Sequence, residues 1–155
     1  MRIKLILQQE EVNKMVKRGG KSTVAVFKPR ISKGIPTSAI VDCADNTGVQ
    51  KGKVIAVFGL KTRRRRLPTA SVGDMVKIVV TSGKTELRKQ LFNAVIIRQR
   101  KPYRRPDGSW ICFEDNAFVV LTPEGDVKGT EIYGPVAKEA AERWPKVAAL
   151  ASIII

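Results

Sequence analysis

The sequence predicts a mainly β domain closed as a barrel or sandwich and followed by a short helical segment, on three observations. Short apolar runs rich in β-branched residues occupy 22–27, 38–44, 53–58, 75–81, 94–100, 110–113 and 117–121. Turn chemistry separates most of them: Gly34-Ile35-Pro36, Asp45-Asn46-Thr47-Gly48, Val72-Gly73-Asp74, Pro106-Asp107-Gly108 and Pro123-Glu124-Gly125-Asp126. Two runs, Ile78-Val79-Val80 and Val95-Ile96-Ile97, are apolar on both strand faces and so require cover on both sides. Many short strands in a 155-residue chain favour closure, which removes edges that would pair with other chains.

Taken in order, residues 1–26 read as a basic N-terminal extension, 27–133 as the β-barrel with a basic loop and hairpin, and 134–155 as a C-terminal helical segment. The extension begins with a short apolar patch at 3–7, too brief for a secretory core and without a small-residue cleavage pattern. Met15 is a plausible internal start. Lys14, Lys17, Arg18, Lys21, Lys28, Arg30 and Lys33 then surround Gly19-Gly20, a pattern that suits either a tail threading between phosphates or an ordinary solvated arm.

In the barrel, Asp45-Asn46-Thr47-Gly48 makes sense as a turn and Glu114-Asp115-Asn116 as a strand interruption. From Gly134-Pro135 the period changes. Val136, Ala137, Ala140, Ala141 and Trp144 fall on one side of a helix of about 3.6 residues per turn. Pro135 suits the first helical position, and Pro145 either ends the helix or opens a second one through Leu150. Lys138 with Glu142, and Glu139 with Arg143, are expected as i,i+4 pairs on the outer face. The tail, Ala151-Ser152-Ile153-Ile154-Ile155, is apolar enough to expect burial against a neighbour.

Charge narrows the function. The chain carries 29 Lys and Arg, 14 Asp and Glu and no His, for a net charge of +15. The excess lies in blocks: +7 over 1–37, +5 over 38–66, zero over 67–82 and +6 over 83–109, before reversing to −3 over 110–155. Block asymmetry points to separate surfaces, the basic ones for a polyanion and foremost a nucleic acid. Absence of histidine removes Ser-His and Cys-His nucleophiles and most catalytic zinc sites. Two cysteines, Cys43 and Cys112, are too few for a disulfide framework and read as buried small hydrophobes. No apolar run reaches the roughly 20 residues of a membrane span.

Three clusters are candidate RNA contacts. Lys61, Arg63, Arg64, Arg65 and Arg66 form a loop whose arginines repel one another and whose guanidinium groups match phosphate geometry. A localisation signal or a solvated loop would use the same residues. The second cluster is Arg98, Arg100, Lys101, Tyr103, Arg104 and Arg105. Alternation puts Arg98 and Arg100 on one strand face and Ile97 and Gln99 on the other. The chain then turns at Pro106-Asp107-Gly108 and returns through Trp110, so Tyr103 and Trp110 either stack on bases or pack across the hairpin. The third cluster is the arm, with Lys17, Arg18, Lys21, Arg30 and Lys33 as its candidates. Asp42 with Asp45, and Glu114 with Asp115, are close enough in sequence for a divalent-metal site, and a nuclease would use Asp42, Asp45 or Glu114. Both pairs already read as turn or interruption, however, and no phosphate-cradling glycine loop is present. No cofactor is implied, and an enzyme is not expected. A free single-stranded RNA- or DNA-binding protein on an OB-like barrel is an alternative, weakened by an aromatic content of only 6%.

The blocks ISKGIPTSAIVDCADNTG (31–48), RLPTASVGDMV (66–76), AVIIRQRKPYRR with PDGSWICFEDNAFVV (94–120) and GPVAKEAAERWPKVA (134–148) together resemble the ribosomal protein L-fourteen family, in its eukaryotic and archaeal branch. The resemblance covers roughly residues 27–150; residues 1–14 find no counterpart, Lys28-Pro29 looks inserted, and the tail is shorter and more apolar than usual. It implies a small five-stranded barrel with a projecting basic β-hairpin and one or two short C-terminal helices. It also implies a structural constituent of the large ribosomal subunit, in the cytoplasm, with no catalytic residue or metal. Implied partners are large-subunit rRNA, small-subunit rRNA across the interface, a neighbouring protein of the L-three family and an anti-association factor, with no membrane. In such members Arg63 to Arg66 match the basic loop and Arg98, Arg100, Lys101, Arg104 and Arg105 the basic ribbon. Ala137, Glu139, Ala140, Arg143 and Trp144 lie where the factor-facing surface is formed.

Overall fold

The computed structural model describes residues 30–60 and 62–155. The expected strand at 22–27, the arm residues Lys14, Lys17, Arg18, Lys21 and Lys28, and Lys61 lie outside the described residues. In chain order the strands are β1 (Ile35–Pro36), β2 (Ile40–Cys43), β3 (Val49–Val57), β4 (Thr69–Ala70), β5 (Met75–Gly83), β6 (Leu91–Arg98), β7 (Tyr103–Arg104), β8 (Trp110–Ile111), β9 (Ala117–Leu121), β10 (Ile132–Val136) and β11 (Ala151–Ile154). Two helices, α1 (Lys138–Arg143) and α2 (Pro145–Leu150), stand between the last two strands.

Five strands close a barrel in the order β2-β3-β5-β6-β9. All neighbours are antiparallel except the closing pair, β2 with β9, which runs parallel through Asp42↔Ala117 and Cys43↔Phe118. The interior is filled by Val41, Val54, Val76, Ile78, Val80, Ala94, Ile96, Phe118 and Val120. Burying each large apolar side chain contributes on the order of 1.5–3 kcal/mol. β3 begins four residues before the expected 53, because its polar residues Gln50, Lys51 and Lys53 face outward while pairing continues. Gly52 faces inward in this stretch. A Cβ there would lie 3.0 Å from Phe118 Cζ and 3.1 Å from Ile78 Cδ1, so the absent side chain is what lets those two fill the interior.

β9 is buried at every residue, and β6 from Ala94 onward, because a second apolar cluster covers their outer faces. Ile97, Ala117 and Val119 meet Val72, Tyr103, Phe113, Ile132, Val136, Ala137, Ala140, Ala141 and Val147 there. This explains the doubly apolar run at 95–97. The second cluster draws on residues from both sides of position 134, so the C-terminal segment is packed onto the barrel wall.

The C-terminal segment departs from its expected form in three ways. Pro135 does not start the helix: it lies in β10, and α1 begins at Lys138 after the extended Ala137. The Ile-rich tail forms β11, parallel to β10 through Pro135↔Ile153 and Val136↔Ile154. Its backbone is paired, but Ile153, Ile154 and Ile155 keep about half their surface exposed. The Glu139–Arg143 pair does not form, since both side chains reach outside their helix; Lys138–Glu142 does, at 3.8 Å. Pro145 opens α2 as expected.

Candidate nucleic-acid interface

The loop joining β3 to β4 carries Arg63, Arg64, Arg65 and Arg66, all exposed. It is closed by the Arg66 N–H donating to the Arg63 carbonyl at 3.2 Å, with Arg65 in the left-handed region at φ 66°. Among the described residues no carboxylate pairs with any of the four. Four guanidinium groups on one turn, unpaired among the described residues, carry planar donors whose geometry matches phosphate. Arg30 and Lys33 are exposed and, with Phe58, Asp74 and Arg143, line a cleft of about 370 Å³.

The hairpin of β7 and β8 sorts the second cluster into two groups. Arg100, Lys101 and Arg104 are exposed. Three expected contacts instead face inward and require correction. Arg98 is 8% exposed; its Nε and Nη2 donate to the two oxygens of Asp115 at 2.8 and 2.9 Å, and its Nη1 to the carbonyls of Tyr133 and Pro135 at 2.9 and 2.8 Å. Arg98 does not share the exposed face of Arg100, because the β6–β9 register shifts between Ile96 and Arg98, and Ile96, Ile97, Arg98 and Gln99 are all buried. Gly134, at φ 75°, makes room for the guanidinium, since a Cβ would lie 3.0 Å from Arg98 Nη1. Tyr103 is fully buried and its hydroxyl donates to Glu139 Oε2 at 2.7 Å, which removes it from base stacking. Arg105 donates from Nε to Glu139 Oε1 at 2.6 Å and from Nη2 to the carbonyl of Ile155 at 2.7 Å. These three residues fasten the hairpin and the C-terminal segment to the barrel.

The helical residues expected to form a protein-facing surface need the same correction. Ala137 and Ala140 are fully buried in the second apolar cluster. Glu139 holds Arg105 and Tyr103, Arg143 pairs with Asp74 at 3.2 Å, and the Trp144 Nε1–H donates to the Gly73 carbonyl at 3.0 Å. What the segment displays instead is Tyr133, Lys138, Glu142 and Ile153 to Ile155. The helical period places Lys138 and Glu142 on the outer face, but β10 and β11 give no periodic signal, so nothing in the pattern points to Tyr133.

Glu139 carries the main electrostatic consequence. Burial pushes its carboxyl up, but hydrogen bonds from Arg105 and Tyr103 outweigh burial and leave it below the ordinary carboxylate value. Burial first, then the adjacent Glu139, push the Tyr103 phenol well above its usual value. A carboxyl whose folded value is depressed stabilises the fold above its unfolded value of about 4.3 and loses that contribution as pH falls through the folded value. Glu139→Gln should therefore cost about 2 kcal/mol at pH 7, and the gap to the parent should narrow at pH 3. Denaturant unfolding at both pH values checks this; a gap independent of pH contradicts it.

Of the carboxylates considered for metal chemistry, Asp42 and Asp45 have structural partners and Glu114 is exposed. Asp45 is buried; its Oδ1 accepts from the Thr47 N–H at 2.9 Å and from the Thr47 hydroxyl, and its Oδ2 from the Val120 N–H at 2.7 Å. Asp42 pairs with Lys51 at 3.5 Å. Among the described residues no group of three or more His, Cys, Asp or Glu side chains is placed to hold a metal ion. Cys43 is half-buried, and burial, reinforced by Asp45, raises its thiol to about 12; Cys112 is exposed, contrary to expectation, and lies just past β8, which ends at Ile111. Among the described residues no helix is long and apolar enough to cross a membrane.

Comparison with known proteins gives a single answer. A family model described as ribosomal protein L14p/L23e matches residues 34–155. A large ribosomal subunit protein uL14 from Pyrobaculum islandicum is 58% identical over 144 residues, covering 91% of this chain and 100% of that protein. Proteins of the same name from Thermofilum pendens and Nitrosopumilus maritimus are 55% and 54% identical over 141 residues, each again covering 91% of this chain and its own whole length.

Proposed function

The chain belongs to the ribosomal protein L14p/L23e family, and from that premise we propose that it binds large-subunit rRNA through its exposed basic loop and hairpin. It is a structural, non-enzymatic constituent of the large ribosomal subunit. The observation that supports the RNA reading is the contrast within the basic residues: Arg63 to Arg66, Arg100, Lys101 and Arg104 face solvent, whereas Arg98 and Arg105 are spent on internal carboxylates. The mechanism is electrostatic. Each phosphate neutralised by an arginine or lysine releases condensed counterions, and the closed barrel holds the contributing loops in fixed relation. Recognition follows RNA shape more than base sequence.

The finer assignments belong to the same proposal. Lys17, Arg18, Lys21, Arg30, Lys33 and Lys61 extend the RNA surface along the arm and the loop. The acidic C-terminal third faces protein: a neighbouring protein of the L-three family and an anti-association factor. Tyr133, Lys138, Glu142 and the terminal isoleucines are the side chains placed to meet them. Small-subunit rRNA across the interface and a cytoplasmic ribosome complete this reading.

The direct test measures binding of the purified chain to large-subunit rRNA as salt is varied. With about 0.7–0.9 decades lost per neutralised phosphate for each decade of salt, seven displayed cations predict a slope of roughly −5 or steeper. A slope near zero, or no binding at low salt, would contradict the proposal.

A further inference from the structure

We propose that Trp110 is a stacking platform for an unpaired RNA base, held beside Arg104 on the outer face of the hairpin. The inference rests on the RNA-binding reading above and adds to it a kind of contact that phosphate neutralisation does not provide. The β7–β8 register pairs Tyr103 with Ile111 and Arg104 with Trp110. One face of the ladder therefore turns Tyr103 into the core, and the other puts an indole and a guanidinium side by side. Directly opposed residues on a sheet face have Cβ atoms about 5 Å apart. Trp110 is 66% exposed, more than any other aromatic side chain among the described residues. Its exposed indole presents a large, flat aromatic face with a polar N–H at one edge.

The surroundings favour a base over an apolar protein side chain. Arg104, Arg100 and Lys101 are exposed on the same projection, so whatever covers Trp110 brings negative charge with it. The hairpin's acid, Asp107, lies in the turn and is engaged by the Ser109 N–H at 2.9 Å and the Ser109 hydroxyl at 2.7 Å. A flat aromatic face bordered by a planar cation is the surface on which an unstacked base is sandwiched, with its phosphate free to meet the neighbouring charges.

The platform is also rigid. Glu139 anchors Tyr103 and Arg105 on either side of Arg104, the Arg105 N–H donates to the Ser109 carbonyl at 2.9 Å, and the Arg100 N–H donates to Asn116 Oδ1 at 2.9 Å. A side chain presented on so fixed a ladder loses little freedom on stacking.

The test compares two RNA probes with the full chain: a stem-loop with an unpaired adenine-rich loop, and a blunt duplex of the same length. The chain has two tryptophans, so subtracting the emission of Trp110→Phe from that of the parent isolates the Trp110 indole from Trp144. The loop RNA should quench that indole and the duplex should not. Trp110→Ala should lower affinity for the loop RNA at least about fivefold while leaving duplex affinity and the salt slope unchanged, because no charge is removed. Trp110→Phe should retain most of the affinity. Absence of quenching, or a loss below twofold in Trp110→Ala, overturns the inference while leaving a steep salt dependence, and hence the RNA-binding reading, intact. If neither RNA binds at low salt, both fall together.

Discussion

Replacing Arg63, Arg64, Arg65 and Arg66 together by Ala is expected to leave the fold intact and remove most of the RNA affinity. The four side chains touch no carboxylate among the described residues and lie on an exposed turn, so each substitution should change stability by no more than about 0.5 kcal/mol. On the RNA side, losing four phosphate contacts should flatten the salt slope by about 3 and lower affinity by roughly 100-fold or more near physiological salt. Filter binding across a salt series reads both numbers, and thermal unfolding reads the first. An unchanged slope would mean that the loop serves another purpose and that the hairpin carries the binding.

Arg98→Ala should do the reverse: little direct effect on charge at the surface, and a large loss of stability. The guanidinium makes four hydrogen bonds, two to Asp115 and two to the carbonyls on either side of Gly134. Removing it strands both carbonyls in the bulge of β10, where the register shifts between Ile132 and Pro135. The expected cost is about 3 kcal/mol. For a chain of this size that lowers the melting temperature by roughly 6–12 °C. Asp115→Asn should cost less, because Asp115 is 38% exposed and the amide oxygen keeps one of the two contacts. If Arg98→Ala melted with the parent but bound RNA more weakly, Arg98 would be a contact after all.

The contrast between these two arginine sets shows what was legible in the amino-acid pattern. The barrel strands were, because the cores of β5 (78–80) and β6 (94–97) are unbroken apolar runs and β9 is apolar throughout, and each is bounded by a turn that only a few residue types make. The arginine loop was legible too, since four adjacent cations have no way to share one buried face. The direction of Arg98 was not. It depends on a one-residue register shift and on Asp115, seventeen residues away, neither of which leaves a local trace. Tyr103 and Trp110 posed the same problem: both are aromatic and both flank the turn, and only the β7–β8 register decides which one is buried. β10 escaped notice because Tyr133-Gly134-Pro135 reads as a helix start, and β11 because a parallel partner nearly twenty residues back has no signature in a short apolar tail. Glu139 shows the most instructive shift. As an i,i+4 partner of Arg143 it would be worth a few tenths of a kcal/mol, whereas its position between Tyr103 and Arg105 makes it the joint between hairpin and helix.

The exposed and internal basic residues thus divide the protein's work. Arg98 and Arg105 hold the geometry, and Arg63 to Arg66, Arg100, Lys101 and Arg104 are displayed by it. The central claim is that this display seats the chain on large-subunit rRNA. Sedimentation of cell extract through a sucrose gradient, with the full-length chain tagged, tests it most directly. The chain should travel with large subunits and with joined ribosomes and stay there through a wash at moderate salt, while the Arg63 to Arg66 variant is displaced. Recovery of the parent chain only in ribosome-free fractions would contradict the account.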